Sequence, residues 1–387
     1  MNKWETVSLG DVCLTTENEN PTIYDKTIFY IDISAINSDI KKITVYNVIS
    51  SKVAPSRARQ RVQCGDILVS TVRPNLNAVA IVDKTDNDMI ASTGFCVLRP
   101  DKKKIDNNYL FEFVKSSRFV RSMTIQATGA SYPAVSNRIV MAEQLPLPPL
   151  SVQQKIADVL GRTSVLIEKR KAQIEKLNLL VKSRFIEMFG DPVQNSFNWK
   201  TAPMEVVAPV KAFRGVVEPH EEGYWLLNLD MIESQTGRII NKVIAKQAEI
   251  GNSTVAFGSE NVLYSKLRPY LNKVALPDSS GYVTTEMLPL LPDKEFLNNV
   301  FLAVLLRSNE FLVYINDKVA GTKMPRVQMD VFRKFQVILP PVELQKQFSM
   351  FVRAADKSKF ELQCGLDKLE LLYKSLMQKC FDGEEMF

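Results

Sequence analysis

The second half of this chain restates the first at an offset of about 192 to 196 residues, and that duplication restricts the fold to two copies of one module. Trp4-Glu5-Thr6 is echoed by Trp199-Lys200-Thr201, and YIDISAI from Tyr30 by LLNLDMI from Leu226. GDILVSTVRPNLNAVA from Gly65 returns, with an insertion, as GSENVLYSKLRPYLNKVA from Gly258, so Arg73-Pro74 answers Arg268-Pro269. Asn107-Asn108 and Asn298-Asn299 open similar apolar helices that end near Phe119 and Phe311. GASYPAV from Gly129 answers GTKMPRV from Gly321, and each half then runs through a double proline into a long amphipathic stretch.

The first stretch, Ser151 to Phe189, follows Pro148-Pro149, and Ser151 with Gln154 three residues on has the spacing of a capping box. Gly190-Asp191-Pro192 ends it. Steps of four and three from Ile156 give Leu160, Thr163, Ile167, Arg170, Ile174, Leu177, Val181, Arg184 and Met188, a heptad seam containing two arginines. The second stretch, Glu343 to Phe381 after Pro340-Pro341, carries Ala355, Lys359, Leu362, Leu366, Leu369, Tyr373, Leu376 and Cys380 at the same alternation. At 1.5 Å per residue each helix would be roughly 55 to 60 Å long. Apolar stripes of that length need a partner, and burying about ten such side chains at about 1.5 to 3 kcal/mol each, before entropy, is enough to set architecture.

Between these stretches each half reads as short strands, such as Asp66 to Val72 and Asn77 to Val82, followed by one or two helices. The expected class is therefore α+β: two similar mixed α/β domains separated by two long, coiled-coil-like helices. Two copies of a globule-plus-helix unit pack best with the helices antiparallel, which relates the globules by a pseudo-two-fold axis and puts them at opposite ends of a rod. The implied boundaries are residues 1–150 and 191–341 for the globular domains, and 151–190 and 342–387 for the helical spacers.

Several function classes find no support. The 45% hydrophobic and 24% charged composition is ordinary for a soluble globular protein, and the longest apolar run, Val300 to Leu306, is far too short to span a membrane. With no secretory pattern in MNKWETVSLGDVC, a cytoplasmic location is expected. Five cysteines with no CxxC pair suggest neither a disulfide framework nor structural zinc. The single histidine, His220 in PHEEGY, leaves no metal cluster and little scope for a histidine-based triad; a surface loop is the simpler reading. Neither a Walker A sequence nor GxGxxG occurs. The double prolines lack the preceding Asp or Asn and following aromatic that an amino-methyltransferase uses to hold a flipped base, and Pro100-Asp101 and Pro292-Asp293 read as turns rather than a nuclease pattern.

A net charge of +6 permits nucleic-acid binding, so the argument rests on where the basic residues lie. Arg57, Arg59 and Arg61 alternate, so on an extended chain all three face one way and could meet phosphates; a solvated strand edge explains them equally well. Lys102-Lys103-Lys104 reads as a solvated loop. Arg73-Pro74-Asn75 and Lys266-Leu267-Arg268-Pro269-Tyr270 follow strands, where Pro stiffens a loop and Arg, Asn and Tyr can reach phosphates or base edges; their recurrence suits a framework role too. The preferred contact loops are Gly129 to Asn137, with Ser131 and Tyr132, and Gly321 to Gln328, with Lys323 and Arg326; a plain turn is the alternative for each. Shared features should be scaffold, whereas differences such as Asn75 against Tyr270, or Tyr132 against Met324, are where different base sequences could be read.

Two variable globules, two long helices, the LPPL or LPP entry before SVQQKIADVL and VELQKQF, and FIEMFGDP after the first helix together resemble the specificity subunit of type I restriction-modification enzymes, over essentially the whole chain. The resemblance implies two target-recognition domains, each reading one part of a bipartite double-stranded DNA sequence across an antiparallel helical spacer. It implies no catalysis by this chain and no cofactor bound to it. Two methyltransferase subunits would dock on the helices and methylate adenine with S-adenosylmethionine. Motor-nuclease subunits, with ATP and Mg, would join for cleavage. The alternative is a coiled-coil scaffold that joins proteins and never touches DNA.

Overall fold

A computed structural model describes residues 4–84, 88–220, 223–246, 249–251, 253–321 and 323–382. The chain divides into two compact units: Met1–Lys171 with Cys364–Phe387, and Ala172–Gln363. Each unit therefore holds one portion of both long helices, which run Leu150–Phe189 and Val342–Asp382.

Unit 1 contains a four-stranded sheet in the order Asn47–Ser50, Thr27–Ile31, Met89–Ser92, Ala58–Arg61, in which only the central pair is parallel. Unit 2 repeats it with Val243–Ala245, Tyr224–Leu227, Gly281–Thr284 and Thr254–Phe257, again with only the central pair parallel. A second, antiparallel sheet follows in each: Cys13–Leu14, Phe95–Pro100, Ile67–Ser70 and Val79–Ile81 in unit 1, and Met287–Leu290, Val262–Ser265 and Val274–Ala275 in unit 2. These central strands are buried on both faces, which is why ILVS and VLYS read as apolar runs rather than alternating ones. A short ladder, Thr6–Ser8 with Gln144–Pro146 and Thr201–Pro203 with Gln336–Ile338, closes each module just before its long helix. Mixed sheets and helices recur in the same order, so the α+β class and the internal repeat hold.

The seam expected from the heptad pattern is the buried face of both helices. Leu160, Ile167, Ile174, Leu177 and Val181, with Leu362, Leu366, Leu369, Tyr373 and Leu376, are all buried or half-buried, while most residues between them face solvent. In unit 1 Leu160 packs in one core with Met377, Cys380 and Phe381, and Lys171 reaches Glu370 at 2.7 Å. In unit 2 the Phe185 ring lies 5.6 Å from Phe348, and Lys359 Nζ reaches Asn178 Oδ1 at 3.2 Å. In both units, ascending numbers on one helix meet descending numbers on the other, so the segments are antiparallel. Arg170 and Arg184, the two arginines of the first seam, are half-buried; Arg184 pairs with Glu187 at 2.8 Å.

Three local expectations need correction. Ser151 does not cap the first long helix, because Leu150 is already helical and the Pro149 carbonyl accepts from the Val152 and Gln153 N–H groups. The glutamine that matters is Gln153, not Gln154. Its side chain is buried, accepts from the Asp106 N–H (2.8 Å) and donates to the carbonyls of Lys104 and Pro148 (3.2 and 2.8 Å). Gln345 repeats this with Asn298, Phe296 and Pro340 at 2.9 Å each, so the glutamine staples the preceding globule to the double proline. The apolar helices are also interrupted: Asn107–Lys115 and Ser117–Gln126 are separate, as are Asn299–Arg307 and Asn309–Asn316. At each break a serine, Ser116 or Ser308, accepts from the N–H three residues on and starts a new helix. Finally, the caps of the leading helices are Asp106 and Asn298, so Asn107 answers Asn299. Asp101 and Asp293 are turn residues, as expected, each carbonyl accepting from two N–H groups downstream.

Gln153→Ala would strand a buried N–H and two carbonyls, so the expected cost is about 3 kcal/mol of unfolding free energy, read from denaturant curves of the intact chain. An unchanged midpoint would show the staple to be dispensable.

Candidate nucleic-acid interface

A left-handed backbone recurs at the same place in both units. Arg73 has φ +50° and Asn77 φ +46°, flanking a short 3-10 turn at Pro74–Leu76. Arg268 and Asn272 repeat this with φ +50° and +51° around Pro269–Leu271. A left-handed Arg costs about 1 kcal/mol or more, so neighbours must hold it. They do: the Arg73 N–H donates to the Pro133 carbonyl (2.7 Å) and the Arg268 N–H to that of Pro325 (2.8 Å). The asparagines tie the turn to the interior, since Asn77 Nδ2 donates to the Lys115 carbonyl (3.4 Å) and Asn272 Nδ2 to that of Arg307 (3.0 Å). The Arg-Pro loops and the Gly loops, far apart in sequence, thus form one edge in each unit.

That edge extends through a row of backbone hydrogen bonds. In unit 1 the Thr93 N–H donates to Arg57 O (2.8 Å), Thr71 N–H to Gly94 O (2.9 Å) and Val135 N–H to Thr71 O (2.9 Å). In unit 2 Thr285 donates to Ser253 (3.0 Å), Lys266 to Glu286 (3.0 Å) and Val327 to Lys266 (2.9 Å). The backbone is the same and the side chains differ. In unit 1 Arg73, Asn75, Ser131 and Tyr132 are exposed together, and the Arg73 guanidinium sits 4.9 Å from the Tyr132 ring centre. In unit 2 Tyr270, Lys323 and Arg326 are exposed while Lys266 and Arg268 are half-buried. Thr322, within the Gly321 to Gln328 loop, lies outside the described residues, as does Glu221 beside His220.

Arg57, Arg59 and Arg61 lie on one side of an edge strand, with Ala58 and Gln60 buried on the other. Only Arg57 joins the row. Arg59 turns its guanidinium to Asn20 Oδ1 (3.0 Å), and Arg61 sits beside Arg99, whose guanidinium is salt-bridged to buried Asp66 at 2.7 Å. The corresponding strand of unit 2, Thr254–Phe257, carries no arginine. Lys102, Lys103 and Lys104 form an exposed turn, and His220 is an exposed loop residue.

One participant was missed in the sequence. Glu286 occupies the place of Gly94, and Arg326 that of Ala134, giving unit 2 an Arg326–Glu286 pair at 3.1 Å in the middle of the edge. The Arg326 hydrogen bond, aided by the charge of Lys266, holds the Glu286 carboxyl below its usual range. An alignment of the halves at an offset of 192 residues contains this pair, but only as two unrelated substitutions. The Arg268 Nε is buried without a hydrogen-bond partner. Among the described residues there is no group of His, Cys, Asp or Glu able to hold a metal, no helix is long and apolar enough to cross a membrane, and all five cysteines are free.

Comparison with known proteins agrees with this architecture. A family model described as "Type I restriction modification DNA specificity domain" matches residues 1–176. The putative type I restriction enzyme MjaX specificity subunit of Methanocaldococcus jannaschii is 24% identical over 91% of this chain and 87% of its own length. The HindI specificity subunit of Haemophilus influenzae is 24% identical over 49% of this chain, a match that spans 42% of the relative. The crystal structure of the type I restriction-modification S subunit from M. genitalium has the same fold, with a TM-score of 0.59 at 13% identity, covering 100% of this chain and 97% of that one. With a duplicated module and paired helices in place, the chain is similar over most of its length to specificity subunits of type I restriction-modification enzymes, and its first 176 residues match their DNA specificity domain.

Proposed function

We propose that the Arg73–Tyr132 edge of unit 1 and the Arg268–Arg326 edge of unit 2 each read one half of a bipartite double-stranded DNA target, and that the helices set the distance between the halves. In this reading residues 1–150 and 191–341 are the recognition domains, and 151–190 and 342–387 the spacers. One observation carries it: the same hydrogen-bonded edge is built twice, with Asn75, Tyr132, Gly94 and Ala134 exchanged for Tyr270, Met324, Glu286 and Arg326. A constant scaffold with variable tips suits two readers of different sequence, since base edges are discriminated by side chains and the phosphates by shared basic groups. Arg57, Lys266 and Lys323 supply the phosphate-facing charge, while Arg59 and Arg61, sequence candidates for the same role, lie off the edge. Co-expression with a methyltransferase subunit, followed by a genome-wide map of methylated adenines, tests it. A motif in two parts is the expected result, and a chain that never directs methylation would leave only the scaffold role.

Partner docking follows from the helices. Leu179 and Leu180 in unit 2 are 52% and 49% exposed, and their repeat equivalents in unit 1, Leu371 and Leu372, are 70% and 49% exposed. Apolar pairs left uncovered on both helix portions fit two copies of one partner. These copies would be methyltransferase subunits, carrying S-adenosylmethionine, with motor-nuclease subunits bringing ATP and Mg. Leu371→Asp with Leu372→Asp should lower the assembly from two methyltransferase copies per chain to one, as native mass spectrometry would report.

A further inference from the structure

We infer that unit 2 holds a binding site for a small aryl carboxylate, in a cavity of about 610 Å³ between its two helix portions and the Ser308 corner. That volume lies within the range of about 300 to 1,000 Å³ typical of small-molecule sites. Its apolar wall includes Val181, Phe185, Val304 and Val352, and Arg307 lies in the lining.

The internal repeat shows what fills the same place in unit 1. Lys115 stands where Arg307 does, each ending the helix before a capping serine. Glu112 stands for Val304 in the same pair of helices. Tyr373 stands for Val181, eight residues before Phe381 and Phe189, the aromatic anchors that pack on Tyr109 (5.4 Å) and Phe301 (4.8 Å). In unit 1 these side chains bond to one another: Tyr373 OH donates to Glu112 Oε2 at 2.6 Å, Lys115 Nζ reaches Glu112 Oε1 at 2.7 Å, and the ammonium lies 5.7 Å from the Tyr373 ring centre. A cation, a carboxylate and a phenol ring form one buried unit.

Unit 2 keeps the cation and lacks the other two. Arg307 donates through Nε to the Ala303 carbonyl (3.2 Å) and through Nη1 to that of Thr236, both neutral acceptors. Burial draws its pKa down, against the pull of the Asp356 charge. Four acids line the cavity: Asp356, engaged by Lys359 at 2.6 Å, Glu187, engaged by Arg184 at 2.8 Å, and Glu175 and Glu310, whose charges an anionic ligand at Arg307 would have to tolerate. A ligand that supplies a carboxylate to the Arg307 fork and a ring to the space between Val181, Phe185 and Val352 would restore what Glu112 and Tyr373 provide in unit 1.

Titration calorimetry of the full chain with 4-hydroxyphenylacetate and with the neutral 4-ethylphenol tests this. Saturable binding of the acid at one site is expected, with 4-ethylphenol weaker by about tenfold or more for want of the charged contact. Arg307→Gln should weaken the acid by a similar factor. Val181→Tyr with Val304→Glu, which rebuilds the unit 1 arrangement, should abolish binding while the circular dichroism spectrum is kept; Val352→Phe is a second filling variant should that pair not fold. No saturation at millimolar acid, or an affinity that Arg307→Gln leaves unchanged, overturns the proposal. So does a native chain that binds no acid but loses a methyltransferase partner when the cavity is filled, because the cavity is then a protein socket.

Discussion

Inserting four residues into each long helix, one set at Ala172 and one at Gln363, should lengthen the unread gap of the methylated motif by about two base pairs while both half-sites stay the same. Four residues add about one turn, roughly 6 Å of helix, against 3.4 Å per base pair along one strand. The insertion points fall where the compact units divide, so neither globule nor its packing on Leu160 or Phe185 is disturbed. Because the helices are antiparallel within each unit, both must be lengthened together, or seam partners such as Lys359 and Asn178 lose register. A four-residue insertion moves a heptad seam little more than one turn on, which paired helices accommodate as a local change of winding. The whole population of methylated sites would change, an all-or-none readout by sequencing. A motif with the original gap, from a folded and active complex, would show that helix length does not measure the distance.

Replacing Arg73 and Tyr132 together by alanine should relax one half of the motif and leave the other intact, with target affinity lowered about a hundredfold. The two side chains are stacked at 4.9 Å on an edge whose backbone is held independently by Pro133, so the loop should survive their loss. A base contact of this kind is worth about 1 to 3 kcal/mol, and the removal of two together reaches the stated factor. Binding curves on target and scrambled duplexes at several salt concentrations separate the outcomes. Equal weakening on all sequences, with a shallower salt dependence, would make Arg73 a phosphate contact only, and the base reading would then fall to Asn75 and Ser131. The matching change in unit 2, Arg268→Ala, should behave differently. Arg268 is half-buried and its Nε has no partner, so part of its effect would appear as altered stability.

Much of the architecture was legible because it depends on periodicities that survive in one dimension. The seam residues from Ile156 to Met188 and from Ala355 to Cys380 all proved buried or half-buried, since a heptad pattern over that length has one helical solution. Less was legible where one residue decides between two continuations. Ser116 and Ser308 lie inside apolar runs whose spacing suits an unbroken helix; they break it because their hydroxyls accept from Phe119 and Phe311, and the new direction is favoured by packing elsewhere. Gln153 and Gln345 look like surface residues of a Gln-rich helix start. Their burial depends on carbonyls and N–H groups some 47 to 49 residues earlier in the chain, which no local pattern announces.

The candidate site divides in the same way. Arg73, Asn75, Ser131 and Tyr132, and their counterparts from Lys266 to Arg326, were named from residue type and loop chemistry, but Arg59 and Arg61 look equally basic in sequence and stand apart from the row. By itself the sequence determined the duplication, the two long helices and their inward faces, because repeats and apolar spacing are properties of order along the chain. Only the tertiary structure decided which loops meet, that left-handed Arg73 and Arg268 are pinned by Pro133 and Pro325, and that Glu286 faces Arg326. Those facts arise from hydrogen bonds between distant segments, and a bond's partner is set by where the backbone has been carried rather than by its neighbours in sequence.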